Sequence, residues 1–307
     1  LWSSFGQTFF ISLFSAQIRS ELTLTHGDFG AYYAFATTMS AFTILWTGKF
    51  VDSLSVNRVS IITLFFVCLS ALFFSLINSI LMLVIGLYLL RLSGQGMMYH
   101  VYSTVITRRY KFMRGKALAI CGLGMNVAEA SLPVVVIIAL GFIDWRLIWV
   151  ILTMIALLSL GPFIKILTQS SNKKYEDSFK KEIENKKFKS ENYSFKRKDA
   201  VKDTGFWLVI IWLTVIPGFS ITGIFFHQIH LSELKNIPLT LWMANYFWYA
   251  LSAITGAIIS GILVDKYTAH SIAVVTQLPM LFATLLLWFG NNFVTLIFFF
   301  IFFGIGS

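Results

Sequence analysis

Residues 79–107 read SILMLVIGLYLLRLSGQGMMYHVYSTVIT, and Arg91 is the only Asp, Glu, Lys or Arg among them. A helix that crosses lipid needs ~20 mostly apolar residues, because the hydrocarbon core is ~30 Å thick and each residue rises ~1.5 Å. The apolar residues run on without polar alternation, which reads as a helix and not as a strand of a barrel. Working outward, runs of the same character occur at 1–18, 28–47, 58–77, 116–140, 145–167, 204–226, 240–260, 271–289 and 292–307. Backbone N–H and C=O groups find no water in lipid, so all ten runs are expected to be helical. The fold class expected is all-α, in a polytopic membrane protein.

Composition supports this. The chain is 57% hydrophobic and 12% charged, where a soluble domain carries about 25% charged residues. Segment 165–203 alone holds 12 of the 24 Lys and Arg and 7 of the 14 Asp and Glu. The rest of the chain has too few charges to cover a water-soluble surface, which excludes a soluble enzyme, a disordered chain and a secreted disulfide scaffold. The net charge of +10 comes from loops between apolar runs, so no nucleic-acid partner is expected. Cys68 and Cys121 lie inside apolar runs and suggest neither a disulfide nor a metal site. No cofactor is expected. The first run has no basic leader and no small-residue cleavage pattern. The chain opens and closes in apolar sequence, and we expect both ends to be cut.

Loop charges set an expected orientation. One side collects Lys49, Arg58, Arg108, Arg109, Lys111, Arg114, Lys116, Lys266 and the basic residues of the central segment. The other collects Arg19, Arg146 and Lys235. The positive-inside bias puts the first set in the cytosol, in a plasma membrane or a bacterial inner membrane. Segment 168–203 is too polar to pack a core and reads as a solvated cytosolic linker. The expected organisation is therefore a six-helix bundle at 1–167, a basic linker at 168–203 and an incomplete bundle of about four helices at 204–307.

A repeat supports the division. Gly48-Lys49-Phe50-Val51-Asp52 follows the second run and Gly261-Ile262-Leu263-Val264-Asp265 follows the eighth. Both fit G-x-[FL]-V-D at the same end of the second helix of each half, and duplicated halves are typical of secondary transporters. With these residues in view the chain resembles the major facilitator superfamily. GKFVDSLSVNR keeps Gly48, Asp52 and Arg58 of that family's loop between helices two and three, with Ser55 in place of a usual glycine. GILVDKYTAH keeps Gly261 and Asp265 and ends in His270. Arg91, Gly94, Gln95 and Gly96 match the family's R-x-x-G-Q-G in helix four, and Arg114-Gly115-Lys116-Ala117 matches the basic loop before helix five. In helix five, GLGMNVAEASLP keeps Gly124 and Pro133, while Glu129 departs from the general pattern. The resemblance implies two pseudo-symmetric bundles that rock about a central site, with helices eleven and twelve of the family's twelve missing here. Gly48, Asp52, Arg58, Gly261 and Asp265 are then the gating candidates.

Arg91 and Glu129 are the only charged side chains deep inside the runs. A charge at mid-bilayer costs ~2.5–3.5 kcal/mol on insertion scales, so function is the default reading and a structural ion pair the bland one. Gln95, four residues after Arg91, is expected on its face. Asn126 lies three residues before Glu129, and Gln7 sits mid-run in helix one. Asn245 and Tyr246 lie in an aromatic stretch of helix eight that also holds Trp242 and Trp248, partly an interfacial belt. The family's cavity-lining helices make Gln7, Arg91, Gln95, Asn126, Glu129, Asn245 and Tyr246 the candidate substrate contacts. Glu129 and His100 are the protonatable coupling candidates. His227, His230 and Glu233 form H-x-x-H-x-x-E, but nothing else in the sequence completes a coordination sphere, and no metal is expected. Pro217-Gly218 predicts a kink in helix seven.

The function expected is movement of a small solute by alternating access, driven by protons or by exchange, with an organic anion such as a monocarboxylate favoured by Arg91. The competing classes are a drug or metabolite exporter and a non-transporting receptor on the same scaffold. No nucleophile–base pair or phosphate loop suggests an enzyme. The expected partners are the solute, lipid and protons, and the expected state is a monomer.

Overall fold

The computed structural model describes residues 1–53, 56–109, 114–169, 197–266 and 275–307. The G-x-[FL]-V-D candidates Gly48, Asp52, Gly261 and Asp265 fall in helical backbone. Their side chains, most of the linker and His270 lie outside the described residues.

The described residues of all ten apolar runs are mostly helical. The second is His26–Ser53, the third Val56–Ser75, the fifth Arg114–Leu140 and the sixth Trp145–Gln169. Four helices among the described residues are long and apolar enough to cross a membrane outright: Arg58–Ser75, Ile80–Thr107, Ile120–Leu140 and Thr204–Phe226. Several of the others depart from a straight rod. The first run consists of short pieces, a 3-10 turn Trp2–Gly6, then Thr8–Ile11, a 3-10 turn Ser12–Phe14, and Ser15–Leu22. The break falls at Gln7, whose backbone is extended at φ −89° and ψ 148°. The eighth run breaks at Asn245, between Leu239–Ala244 and Tyr246–Lys266. Irregular backbone at membrane depth survives only where protein surrounds it. The first span meets that condition, since Phe5, Phe9, Phe10 and Phe14 are all at most 1% exposed.

Hydrophobic burial cannot drive helices together in lipid, because lipid tails are as apolar as leucine; close packing and polar contacts do so instead. The first span supplies the packing. The rings of Phe10 and Phe14 lie 5.0 and 5.2 Å from that of Trp149 in the sixth span, and Phe74 of the third lies 4.9 Å from the same indole. In the second half Phe225 holds the matching place, with the rings of Tyr246, Tyr249 and Phe303 within 5.7 Å of it. Trp242 is 1% exposed and packs on Phe300, so the belt expected in this stretch is confined to residues such as Trp248, 39% exposed.

Two spans change helical register. The fourth runs Ile80–Leu90, widens to a π-helix over Arg91–Met97, and resumes at Met98–Arg109. The seventh has a π turn at Ile211–Val215, directly before the segment Ile216–Phe226 that opens with Pro217. Proline has no N–H to continue the ladder, so the register changes where Pro217-Gly218 predicts a kink.

Three contacts fasten the ends of spans on the face opposite the linker. Arg146 pairs with Glu21 and donates to the Ile77 carbonyl at 2.7 Å, tying spans six, one and three. Lys235 donates to the Gly290 carbonyl at 2.8 Å and to Asn291 Oδ1 at 2.9 Å. His26, at the start of the second span, lies 5.2 Å ring to ring from His230, shortly before the eighth. The second and eighth helices therefore start at one face, and both carry their G-x-x-x-D motif at the far end.

Candidate functional site

Arg91 (4% exposed) and Glu129 (7%) are the only Asp, Glu, Lys or Arg side chains buried among the described residues. They do not pair with each other. Arg91 donates to Gly6 and Thr8 instead, so the bland expectation of an Arg91–Glu129 ion pair is corrected. The two side chains turn to different elements.

Arg91 turns to the first two spans. Its Nη1 donates to the Gly6 carbonyl at 3.0 Å and to Thr8 Oγ1 at 3.3 Å, and its guanidinium sits 5.2 Å from the Tyr33 ring centre. Tyr33 Oη in turn donates to Thr8 Oγ1 at 2.8 Å. The break at Gln7 opens the helical ladder beside Gly6, and a cation in the fourth span occupies the freed carbonyl. The π segment places it there. Gly94 fits directly against Gly6, whose nitrogen would lie 2.6 Å from a Cβ at position 94. Arg91 Nε is buried without a partner.

Gln95, four residues on, is half-buried where Arg91 is buried. With Gln7 it lines a cavity of about 810 Å³, together with Tyr99, Tyr102, Cys121 and Met125. Arg91 is not in that wall and neither is His100. Leu1 and Trp2 do line it.

Glu129 lies on the fifth span four residues before Pro133, which lacks the N–H that would bond the Glu129 carbonyl. Its carboxyl faces the Tyr249 hydroxyl of the eighth span. Tyr246, one turn earlier on that span, is 1% exposed and donates to Gln228 Oε1. Asn245 (2% exposed) donates from Nδ2 to the Leu241 carbonyl at 2.8 Å, and its Oδ1 is buried without a partner. Asn126 is half-buried. Arg58, at the start of the third span, is exposed.

The candidates therefore fall into three places: Gln7 with Gln95 at the cavity, Arg91 against the first span, and Glu129 with Tyr246 where the fifth span meets the eighth. Two participants had no signal of their own in the sequence. Thr8 and Gln228 are polar residues whose spacing marks nothing, whereas Tyr249 belongs to the aromatic stretch of helix eight.

Broken helices, a π turn at a buried cation and a buried carboxyl between spans five and eight define a polytopic α-helical transport protein. The chain belongs to the Major Facilitator Superfamily, whose family model matches residues 1–307. It is an integral membrane protein of a family of secondary transporters, and a small-molecule substrate follows from that membership. A search of curated proteins finds no match to the chain.

Proposed function

We propose that the chain moves a small organic solute across the membrane together with, or in exchange for, protons, and that Glu129 carries the proton. One observation supports this: the only buried carboxyl among the described residues faces a hydroxyl, that of Tyr249, and makes no ion pair with Arg91. Intramembrane acids of this kind mark proton relays and substrate paths. The partner stands on the other side of the linker in sequence. Rocking of 1–167 against 204–307 would break this contact and change the carboxyl's surroundings between states. The loop charges favour a cytosolic linker, and the cytosolic gates are Asp52 and Asp265. Asn245, with its free buried oxygen, and Gln95 in the cavity wall are the uncharged solute contacts that fit this scheme.

A second reading concerns the solute. The buried and unpartnered Nε of Arg91 favours an anionic group, such as the carboxylate of a monocarboxylate.

Uptake into proteoliposomes tests both. Organic acids, sugars, amino acids and drugs are screened with and without a pH gradient. The expected result is gradient-driven accumulation that Glu129→Gln abolishes while solute counterflow persists. Accumulation by Glu129→Gln at the wild-type level would remove the proton role. Transport only outward would favour the exporter, and no flux of any class the receptor.

A further inference from the structure

Gln228 stands in the middle of the H-x-x-H stretch, just beyond the seventh span, and is 0% exposed. Both sides of its amide are engaged. Nε2 donates to the Phe9 carbonyl at 2.9 Å and to Ser12 Oγ at 2.7 Å, and Oε1 accepts from the Tyr246 hydroxyl. Ser12 spends its own hydrogen on the Phe225 carbonyl at 2.7 Å, which leaves its oxygen free to accept from Gln228 and fixes which way the amide points. Phe9 and Ser12 belong to the first span; Gln228, Phe225 and Tyr246 belong to the half beyond the linker. A polar network buried between two elements and fully satisfied holds them in one arrangement, since a half-broken network leaves orphaned groups behind. Aromatic rings surround it: Phe9 on Phe225 at 5.8 Å and Phe29 on Phe226 at 5.7 Å.

We infer that Gln228 is the latch that closes the face opposite the linker, a positioning residue that joins the first span to the seventh and eighth in this state and releases them when that face opens. This rests on the rocking of the two halves proposed above. It adds a physical link to Glu129, because Tyr246, which holds Gln228, and Tyr249, which faces Glu129, are one turn apart on the same helix. A change at the carboxyl is thus transmitted to the latch through a single helical segment.

The test is cysteine labelling in proteoliposomes with a membrane-impermeant maleimide. Phe9→Cys, in a background without Cys68 and Cys121, reports on the latched interface. Native Cys121, alone after Cys68→Ala, reports on the cavity on the linker side, where it is exposed. Gln228→Ala, and separately Tyr246→Phe, are introduced into each. The expected result is labelling of Phe9→Cys at least five-fold faster from the face opposite the linker, with slower labelling of Cys121. Unchanged labelling at position 9 in both variants overturns the latch and leaves the transport reading standing. Faster labelling at both positions means general loosening and also overturns it. Faster labelling at position 9 with Cys121 unaffected keeps the latch and removes the alternation. If Gln228→Ala does not fold, Tyr246→Phe decides, since it deletes one hydroxyl only.

Discussion

Arg91 donates to the main-chain carbonyl of Gly6 across 3.0 Å, from the fourth span to the break in the first. The family's helix-four motif is thereby tied to a break in helix one that has no motif of its own. Removing the guanidinium strands a buried carbonyl and leaves Thr8 with Tyr33 alone. Leaving a buried acceptor unsatisfied costs about 1–3 kcal/mol. We expect Arg91→Ala to lose that much in thermal unfolding in detergent and Arg91→Lys to lose less, because a lysine keeps the charge without the planar fork. A wild-type melting temperature for Arg91→Ala would remove Arg91 from this role.

The Gly6–Gly94 contact has no room for a methyl group. A Cβ on Gly6 would fall on the Leu90 carbonyl and the Gln95 nitrogen, both main chain. Overpacking of this kind costs about 1–3 kcal/mol or more. Gly6→Ala and Gly94→Ala should therefore destabilise the protein. Gly122→Ala, with nothing within 4 Å of the added atom, should be neutral or gain up to about 1 kcal/mol from helix propensity. Melting curves of the three variants separate the outcomes, and equal losses at all three positions would contradict the packing described.

Much of the architecture was legible before any coordinates. The ten apolar runs are mostly helical over their described residues, because unpaired backbone is not tolerated in lipid and run length is a direct signal. The faces were less legible. In a soluble helix the apolar stripe shows which side is buried, but here lipid and core accept the same side chains. Phe10, buried against Trp149, and Phe219, 82% exposed, look alike in sequence. The π segment over Arg91–Met97 has no signal in the apolar pattern either. Gln228 is a lone amide between His227 and His230, and no spacing in the sequence marks it.

Acid should loosen the face opposite the linker. His26 sits with His227, His230 and Arg19 in one cleft, with Glu233 as the nearby acid. Burial, then Arg19 and His230, hold the His26 imidazole below its ordinary range, against an opposing pull from Glu233. Burial and His230 do the same for His227. A histidine whose value is depressed in the closed arrangement favours that arrangement when neutral, and the preference fades as pH falls through the histidine range. His26 is mostly exposed, so the effect is modest and screened by salt. Labelling of Ser15→Cys should quicken between pH 7.5 and 5.5, and His26→Gln should flatten the profile. A flat wild-type profile would refute the idea.

Asp52 and Asp265 sit at matching ends of the second and eighth helices. If they gate the linker side, Asp52→Asn impairs transport at least several-fold while membrane insertion and expression hold. Full transport at equal expression would leave Asp52 as a turn residue.

The account stands on movement of 1–167 against 204–307 around an interface that closes at the His26–His230 contact. The most direct test joins those halves. With His26→Cys and His230→Cys bridged by a short, reducible bifunctional thiol reagent, uptake of the solute returned by the proteoliposome screen should stop, and reductant should restore it. Undiminished uptake by the bridged protein would contradict the account.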